Sequence, residues 1–108
     1  MLEVQDVTKG LNLTLEANKQ FPSDAEVLNA LGWAYLENQQ LELARTTLEQ
    51  GLDVDPTYPP LYFTLGRVEE AEGLVGKARE LYLQALDLDT GGGITRRSEE
   101  ALKRLGKE

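Results

Sequence analysis

A stripe of apolar residues, three or four positions apart, runs through residues 24–38. Its members are Val27, Leu28, Leu31, Ala34 and Tyr35. Residues at this spacing share one face of an α-helix, and the capping sequence Ser23–Glu26 marks where such a helix would begin. Residues 41–54 show the same spacing and end before Pro56. The pattern therefore predicts two consecutive amphipathic helices.

A second pair of helices is predicted after this proline. Pro59 and Pro60 suit the first turn of a helix that runs to about Glu72, because the first turn does not use its amide hydrogens. The pattern breaks near Gly73, resumes over residues 75–88 and ends at the three glycines 91–93. Residues 1–20 and 95–106 also show helical character, so about six helices are expected.

The chain repeats itself with a period of 34 residues. A shift by this length places identical residues on each other without a gap in eight pairs: Leu31/Leu65, Gly32/Gly66, Ala44/Ala78, Arg45/Arg79, Gln50/Gln84, Leu52/Leu86, Asp53/Asp87 and Asp55/Asp89. Periods of this length are typical of solenoids that stack helix pairs.

The first helix of each repeat has one glycine in its interior, at equivalent positions in the two repeats. A glycine inside a helix costs roughly 1 kcal/mol relative to alanine, so each of these positions needs a compensating gain. We expect that gain to be a close approach of backbones, with Gly32 against the helix that carries Ala44 and Gly66 against the helix that carries Ala78.

Both repeats resemble the tetratricopeptide repeat. The residues that carry the resemblance are Leu28, Leu31, Gly32, Tyr35, Ala44, Leu48 and Pro56 in the first repeat and Tyr62, Leu65, Gly66, Ala78, Tyr82 and Ala85 in the second. The resemblance covers residues 25–92 and implies an all-α fold, an antiparallel helix-pair solenoid in a right-handed superhelical stack. It implies one domain, residues 1–108, made of a partial repeat with an orphan helix (1–22), two repeats (25–58 and 59–92) and a C-terminal capping helix (94–106).

The same resemblance implies a protein–protein interaction module that holds a peptide or partner protein in a concave groove. In the family, the flank of each first helix faces that groove. The residues at those positions here are Asn29, Trp33, Glu37, Phe63, Arg67 and Glu70. Aromatic residues and arginine are enriched at binding hot spots, and an acidic, partly aromatic groove suits an apolar or basic peptide. The basic residues of the family's carboxylate clamp are not reproduced, and the alternative for Trp33 is that it fills a gap between helices.

Charge and composition exclude several other functions. The net charge of −8 argues against binding to nucleic acid or to an anionic membrane surface. The chain has no histidine and no cysteine, which removes the commonest general base, the commonest metal ligand and all thiol chemistry. We therefore expect no enzymatic activity, no cofactor and no metal. Gly91, Gly92 and Gly93 lack the lysine and strand of a phosphate loop, so they are interpreted as a helix-ending linker.

A structural role is the alternative to peptide binding. Residues 1–20 resemble a second helix without its antiparallel mate, and their exposed face would suit a homo-oligomer or a piece of a longer array. The N-terminus has no basic stretch followed by an apolar run, and no apolar run could span a bilayer. We expect a soluble, cytoplasmic protein, or a periplasmic one if the sequence comes from a longer exported chain.

Overall fold

The computed structural model describes residues 4–89 and 92–106, with side chains from Lys9 onward. Within these residues the chain is entirely helical outside its turns and has no strand. The helices are α1 (Val4–Gln20), α2 (Ala25–Glu37), α3 (Leu41–Val54), α4 (Pro59–Ala71), α5 (Val75–Leu88) and α6 (Thr95–Gly106). The predicted all-α class and its six helices are confirmed. The parts of the predictions that fall on residues 1–3, 90–91 and 107–108 lie outside the described residues.

The helices end where the sequence supplies the appropriate groups. The predicted capping box at Ser23 is off by one residue, because Asp24 adopts the extended N-cap conformation and its Oδ1 accepts a hydrogen bond of 3.1 Å from the amide of Val27. A carboxylate at this place also meets the positive end of the helix dipole. Gly73 has a φ of 82°, a conformation that costs glycine little, and it allows the chain to turn from α4 into α5.

The chain divides into two compact units, Met1–Pro56 and Thr57–Glu108. In the first unit, α2 packs against both α1 and α3. In the second unit, α5 packs against both α4 and α6. Each unit therefore contains one complete helix pair, which is one repeat, and one additional helix.

The glycine of each repeat allows the two helices of the pair to approach closely. A Cβ atom added to Gly32 would lie 2.5 Å from the side chain of Leu48 on α3, and one added to Gly66 would lie 2.7 Å from the ring of Tyr82 on α5. Both distances are far inside van der Waals contact, and both neighbours are completely buried. The predicted close approach of each glycine to the following helix is confirmed.

Small residues are also buried on the second helix of each repeat. Ala44 on α3 and Ala78 and Ala85 on α5 have no exposed surface. Alanine keeps good helix propensity while leaving space for the neighbouring helix, so these positions favour both the helix and its packing. The core of each repeat therefore combines a glycine on the first helix with buried alanines on the second.

Each additional helix is attached by one apolar face. On α1, Leu11 is buried with Leu31 and Ala34 of α2, and Leu15 packs against the same cluster. On α6, the buried residues are Ser98, Ala101 and Leu105, which are spaced by three and four positions along the helix. The guanidinium of Arg79 on α5 also donates a hydrogen bond of 3.4 Å to the backbone oxygen of Leu105.

Candidate functional site

In the first unit, the predicted site residues lie on α2. Asn29, Trp33 and Glu37 are four residues apart, which places them along one side of the helix. The positions beside them, Leu28 and Leu31, are buried. Asn29 and Trp33 are half-buried and Glu37 is exposed. The three residues thus extend from the edge of the core to the surface.

Asn29 carries an unusual polar atom. Its Oδ1 is shielded from solvent and accepts no hydrogen bond from any residue that the structure describes. A buried acceptor without a donor costs about 1–3 kcal/mol. Most such groups in proteins are satisfied, so each exception asks for an explanation. A donor from a bound molecule is one way to satisfy this acceptor.

Trp33, the only tryptophan in the sequence, is neither sealed in the core nor fully open. Its half-buried ring offers part of its surface for contact while the rest is held by the protein. A ring fixed in this way loses little conformational freedom when it binds a partner, which is one reason why tryptophan is common at hot spots.

In the second unit, Phe63 is not on an open face as the sequence analysis expected. Its side chain is only 5% exposed. The ring centroid lies 5.5 Å from that of Tyr82, with the planes inclined at 45°, which is a favourable arrangement for an aromatic pair. Phe63 is large and fully apolar, so packing against Tyr82 stabilises it more than exposure would.

Glu70 also differs from the expectation, because other side chains of the same unit already bind its carboxylate. The hydroxyl of Tyr82 donates a hydrogen bond of 2.7 Å to Oε1. Arg104 on α6 donates from Nη2 to both carboxylate oxygens, at 2.6 and 2.8 Å, and from Nε to Oε2 at 3.2 Å. The Glu70 carboxylate therefore joins α4, α5 and α6, and we call the set Glu70, Tyr82 and Arg104 the carboxylate link.

The carboxylate link changes the protonation of its members. Burial raises the pKa of the Glu70 carboxyl, but hydrogen bonds from Tyr82 and Arg104 and the charges of Arg104 and Arg67 outweigh it, so the pKa lies below its usual value. Burial, together with the hydrogen bond to Glu70, raises the pKa of the Tyr82 phenol. The hydrogen bond to Glu70 raises the pKa of Arg104. At neutral pH the link is an ion pair with a neutral phenol.

Arg67 is the remaining predicted residue of this unit. It lies on α4, one turn from Glu70, and is half-buried. It stands 34 residues after Trp33, so the two residues occupy the same position in successive repeats. Its charge contributes to the lowered pKa of Glu70.

The N-terminus of α6 holds an acidic side chain of the same chain. Oδ2 of Asp89 accepts hydrogen bonds from the amide of Ile94 at 2.7 Å, from the amide of Thr95 at 2.8 Å and from the Thr95 hydroxyl at 3.0 Å. Free amides at a helix N-terminus are the groups that bind anions. Here Asp89 of the same chain occupies that position.

Acidic side chains and one surface hollow are the other features of the described residues that bear on a site. In that part of the chain, no group of three or more acidic, histidine or cysteine side chains is placed to hold a metal ion. A hollow of about 400 Å³ lies on α6 and is lined by Gly92, Thr95, Arg96, Glu99, Glu100 and Lys103, a mixture of both charges. None of the described helices is both long enough and apolar enough to cross a bilayer.

Comparisons with known proteins agree with the geometry of the helix pairs. The family model described as tetratricopeptide repeat matches residues 5–59 and residues 29–93, which overlap and together cover most of the chain. Among curated proteins, none matches the sequence.

Solved structures resemble the chain over nearly its whole length. The tetratricopeptide repeat (TPR) domain of Arabidopsis OM64 has 22% identity and a TM-score of 0.81, covering 96% of this chain and 84% of that one. The TPR2B domain of yeast Sti1, in its complex with pHsp70, has 17% identity and a TM-score of 0.84, covering 95% and 85%. The Yersinia enterocolitica type III secretion chaperone SycD, in complex with a peptide of the translocator YopD, has 16% identity and a TM-score of 0.79, covering 96% and 84%. At these identities the likeness establishes the fold.

Proposed function

The chain belongs to the tetratricopeptide repeat family, and from this premise we propose that it is a non-catalytic module that binds a peptide or a partner protein. Two structural neighbours were solved with a bound partner, pHsp70 for the yeast domain and a YopD peptide for SycD. Both of these neighbours thus bind a protein or a peptide.

The proposal depends most on one feature of α2, the unpaired acceptor of Asn29 beside the half-buried ring of Trp33. A peptide carries backbone N–H groups along its whole length. A rotation of the Asn29 side chain towards such a group would satisfy its Oδ1 and remove the cost of an unpaired acceptor. An apolar side chain of the ligand would at the same time cover the open part of the Trp33 ring.

The charge of α2 favours one class of ligand. Glu37, on the same side of the helix, is exposed, and the whole chain carries a net charge of −8. A lysine or arginine of the ligand would be attracted by both. Partners with apolar and basic side chains are therefore preferred over acidic ones.

The second unit contributes less to the proposed site than the sequence suggested. Phe63 and Glu70 already have partners inside that unit, Tyr82 for both and Arg104 for Glu70. Arg67 remains as a ligand contact in the proposal, at the position that Trp33 occupies in the first repeat. The contacts proposed for the first unit are accordingly Asn29, Trp33 and Glu37, and Arg67 is proposed separately for the second unit.

Trp33 makes the proposal testable with a defined probe, since any change in tryptophan emission must come from this position. Synthetic peptides that pair leucine with lysine or arginine would be titrated against the protein, beside peptides in which glutamate replaces every basic residue. We expect the basic peptides to change the Trp33 emission and the acidic ones to leave it unchanged. Glu37→Lys should weaken the response to basic peptides.

Glu49→Lys is the matched control, because Glu49 is an exposed residue on α3 and the substitution changes the net charge by the same amount. It should weaken binding less than Glu37→Lys. Equal effects of the two variants would show a non-specific response to net charge. Binding that survives Asn29→Ala unchanged would remove the central argument.

Self-association through residues 1–20, the structural alternative, involves a helix that supplies none of these contacts. A ligand response that persists when the protein is monomeric would separate the two functions.

A further inference from the structure

The helix α1 has a face that corresponds to a covered face in α3 and α5. The 34-residue period places Gly10, Thr14 and Ala17 on positions that face the first helix of each repeat. Those positions are Ala44, Leu48 and Gly51 in α3, and Ala78, Tyr82 and Ala85 in α5. All six are buried in their units, whereas the three residues of α1 are only half-buried.

The contrast is greatest at Leu13. This leucine is 65% exposed, while Thr47, one period later, is 7% exposed. A Cβ atom added to Gly10 would meet no atom of the described residues within 4 Å, in contrast to Gly32 and Gly66. Among the described residues, therefore, α1 has a helix-binding face with no helix on it. We call this face, Gly10, Leu13, Thr14 and Ala17, the open face of α1.

The open face has side chains that suit an apolar contact. Leu13 is exposed beside three smaller residues, Gly10, Thr14 and Ala17, so a large apolar side chain stands next to a position that carries no side chain. The Thr14 hydroxyl donates within the helix, to the oxygen of Leu11 at 2.9 Å or of Gly10 at 3.2 Å. Thr14 can therefore present its methyl group to a partner without leaving a buried donor unpaired.

The charged residues on either side of Leu13 have opposite signs, so two antiparallel copies of α1 would place unlike charges together. Lys9 lies four residues before Leu13 and Glu16 three residues after it, and both are exposed. When two such helices lie antiparallel with Leu13 at the centre, Lys9 of each approaches Glu16 of the other. The sequence of α1 contains two acidic and two basic residues, so this helix is neutral in a chain of net charge −8. Two copies of the acidic chain would repel each other least at α1.

We propose that the open face of α1 binds a second copy of this chain, as an antiparallel α1–α1 pair about a two-fold axis near Leu13. In this pair each Leu13 packs beside Gly10 of the other copy, and two Lys9–Glu16 ion pairs flank the contact. An isologous contact of this kind needs a self-complementary patch, which the open face provides. The proposal is independent of peptide binding, because no residue of α2 takes part in it.

The test is the molar mass of the full chain measured by sedimentation equilibrium over a range of concentrations. We expect the 12.0 kDa chain to form a dimer reversibly, with twice that mass at high concentration. Leu13→Glu should weaken the dimer by about 100-fold or more, because the substitution removes a leucine from both halves of the contact. Helix content should be unchanged by circular dichroism, since the side chain of Leu13 is exposed in the monomer.

Two further variants make the result specific. Leu83→Glu replaces a leucine that is 51% exposed on α5 and should leave dimerisation unchanged. Lys9→Glu and Glu16→Lys should each weaken the dimer, and the double variant should restore it, because the charges are then exchanged rather than lost.

Three results would overturn the proposal. These are a wild-type chain that stays monomeric at the highest concentration at which it is soluble, a Leu13→Glu variant that dimerises like the wild type, and a double charge reversal that does not restore association. A monomeric wild type would leave the open face to a helix from outside this chain. The response of Trp33 to peptides would be unaffected by any of these outcomes, so the two proposals fail separately.

Discussion

The two units solve the same packing problem with different side chains. In both, a glycine of the first helix lies on a large buried side chain of the second, Gly32 on Leu48 and Gly66 on Tyr82. Leu48 makes an apolar contact, and its side chain has no polar atom that could form a hydrogen bond. Tyr82 fills the equivalent position, contacts the ring of Phe63 and places a hydroxyl against Glu70.

This difference, together with Glu70 at the position of Leu36, changes how the additional helix is held. In the second unit the Tyr82 hydroxyl and Arg104 bind the same carboxylate, so α6 is attached by charge and hydrogen bonds as well as by its apolar face. In the first unit α1 is attached to α2 through Leu11 and Leu15, and Leu13 stays exposed. The polar connection of the second unit thus rests on one carboxylate that the phenol and Arg104 share.

The largest effect is expected when the side chain under each glycine is removed. Tyr82→Ala deletes a completely buried ring and should lower the free energy of unfolding by about 3–5 kcal/mol, and Leu48→Ala should lower it by about 2–5 kcal/mol. Urea unfolding followed by circular dichroism measures both. Tyr82→Leu makes the second unit resemble the first. If Tyr82→Leu lowers the free energy of unfolding no more than a surface substitution does, the phenol contributes nothing to stability. The proposed difference between the two units would then be wrong.

Adding one methyl group at each glycine tests the close approach itself. In Gly32→Ala and Gly66→Ala, strain of about 1–3 kcal/mol opposes a gain in helix propensity of about 1 kcal/mol, so a net loss of up to about 2 kcal/mol is expected. The new Cβ atoms would lie 2.5 and 2.7 Å from side chains that are completely buried, so a neighbour must shift inside the core. Gly76→Ala, where the added Cβ atom meets nothing within 4 Å, should be neutral or stabilising. Thermal unfolding of the three variants distinguishes these cases.

The carboxylate link should make stability depend on pH through Glu70. Because its pKa is lowered on folding, the ionised form stabilises the protein fully above the unfolded value of 4.5 and loses this contribution as the pH falls through the lower, folded pKa. Glu70→Gln should therefore cost about 1–2 kcal/mol at pH 7, with a smaller difference from the wild type in acid. Unfolding at both pH values provides the measurement.

Glu100→Gln is the control for this experiment. Glu100 pairs with Arg96 at 3.3 Å, but both side chains are mostly exposed, so water screens the interaction. Its loss should change stability by less than about 0.5 kcal/mol at either pH. A pH dependence that Glu70→Gln leaves intact would assign the acid sensitivity to other carboxylates.

The smallest effect is expected at the start of α6. Asp89→Ala removes the acceptor for two amides and should cost about 1 kcal/mol, with faster hydrogen exchange at the amides of Ile94 and Thr95. Asp87→Ala, at an exposed position near the C-terminus of α5, should be neutral or slightly stabilising. Equal effects at the two positions would contradict the role of Asp89 as a cap.

The helices were predictable because local signals mark them. Pro59 and Gly73 stand where a helix starts or ends for reasons that depend only on neighbouring residues, and the apolar spacing identifies the buried faces. The contacts of Gly32 and Gly66 were predictable for a similar reason, since glycine inside a helix needs a packing partner.

The burial of Phe63 and the pairing of Glu70 could not be predicted in the same way. The period equates Phe63 with Asn29 and Glu70 with Leu36, and such a comparison contains no information about the side chain that lies opposite. The available signal was a paired change: where the first repeat has Asn29 and Leu48, the second has two aromatic residues. The partner of Glu70 is Arg104, which lies 34 residues away on α6, and only the tertiary structure brings the two together.

The bonds from Ile94 and Thr95 to Asp89 have a consequence for engineering the chain. Glycine-rich connections usually accept extra residues, since lengthening a flexible loop costs little entropy. Here the carboxylate at the end of α5 must reach the first amides of α6, so the spacing between them is set by hydrogen bonds of 2.7 and 2.8 Å. An affinity tag or a spliced domain inserted among the glycines would disturb these bonds, and a fusion is better joined beyond that helix.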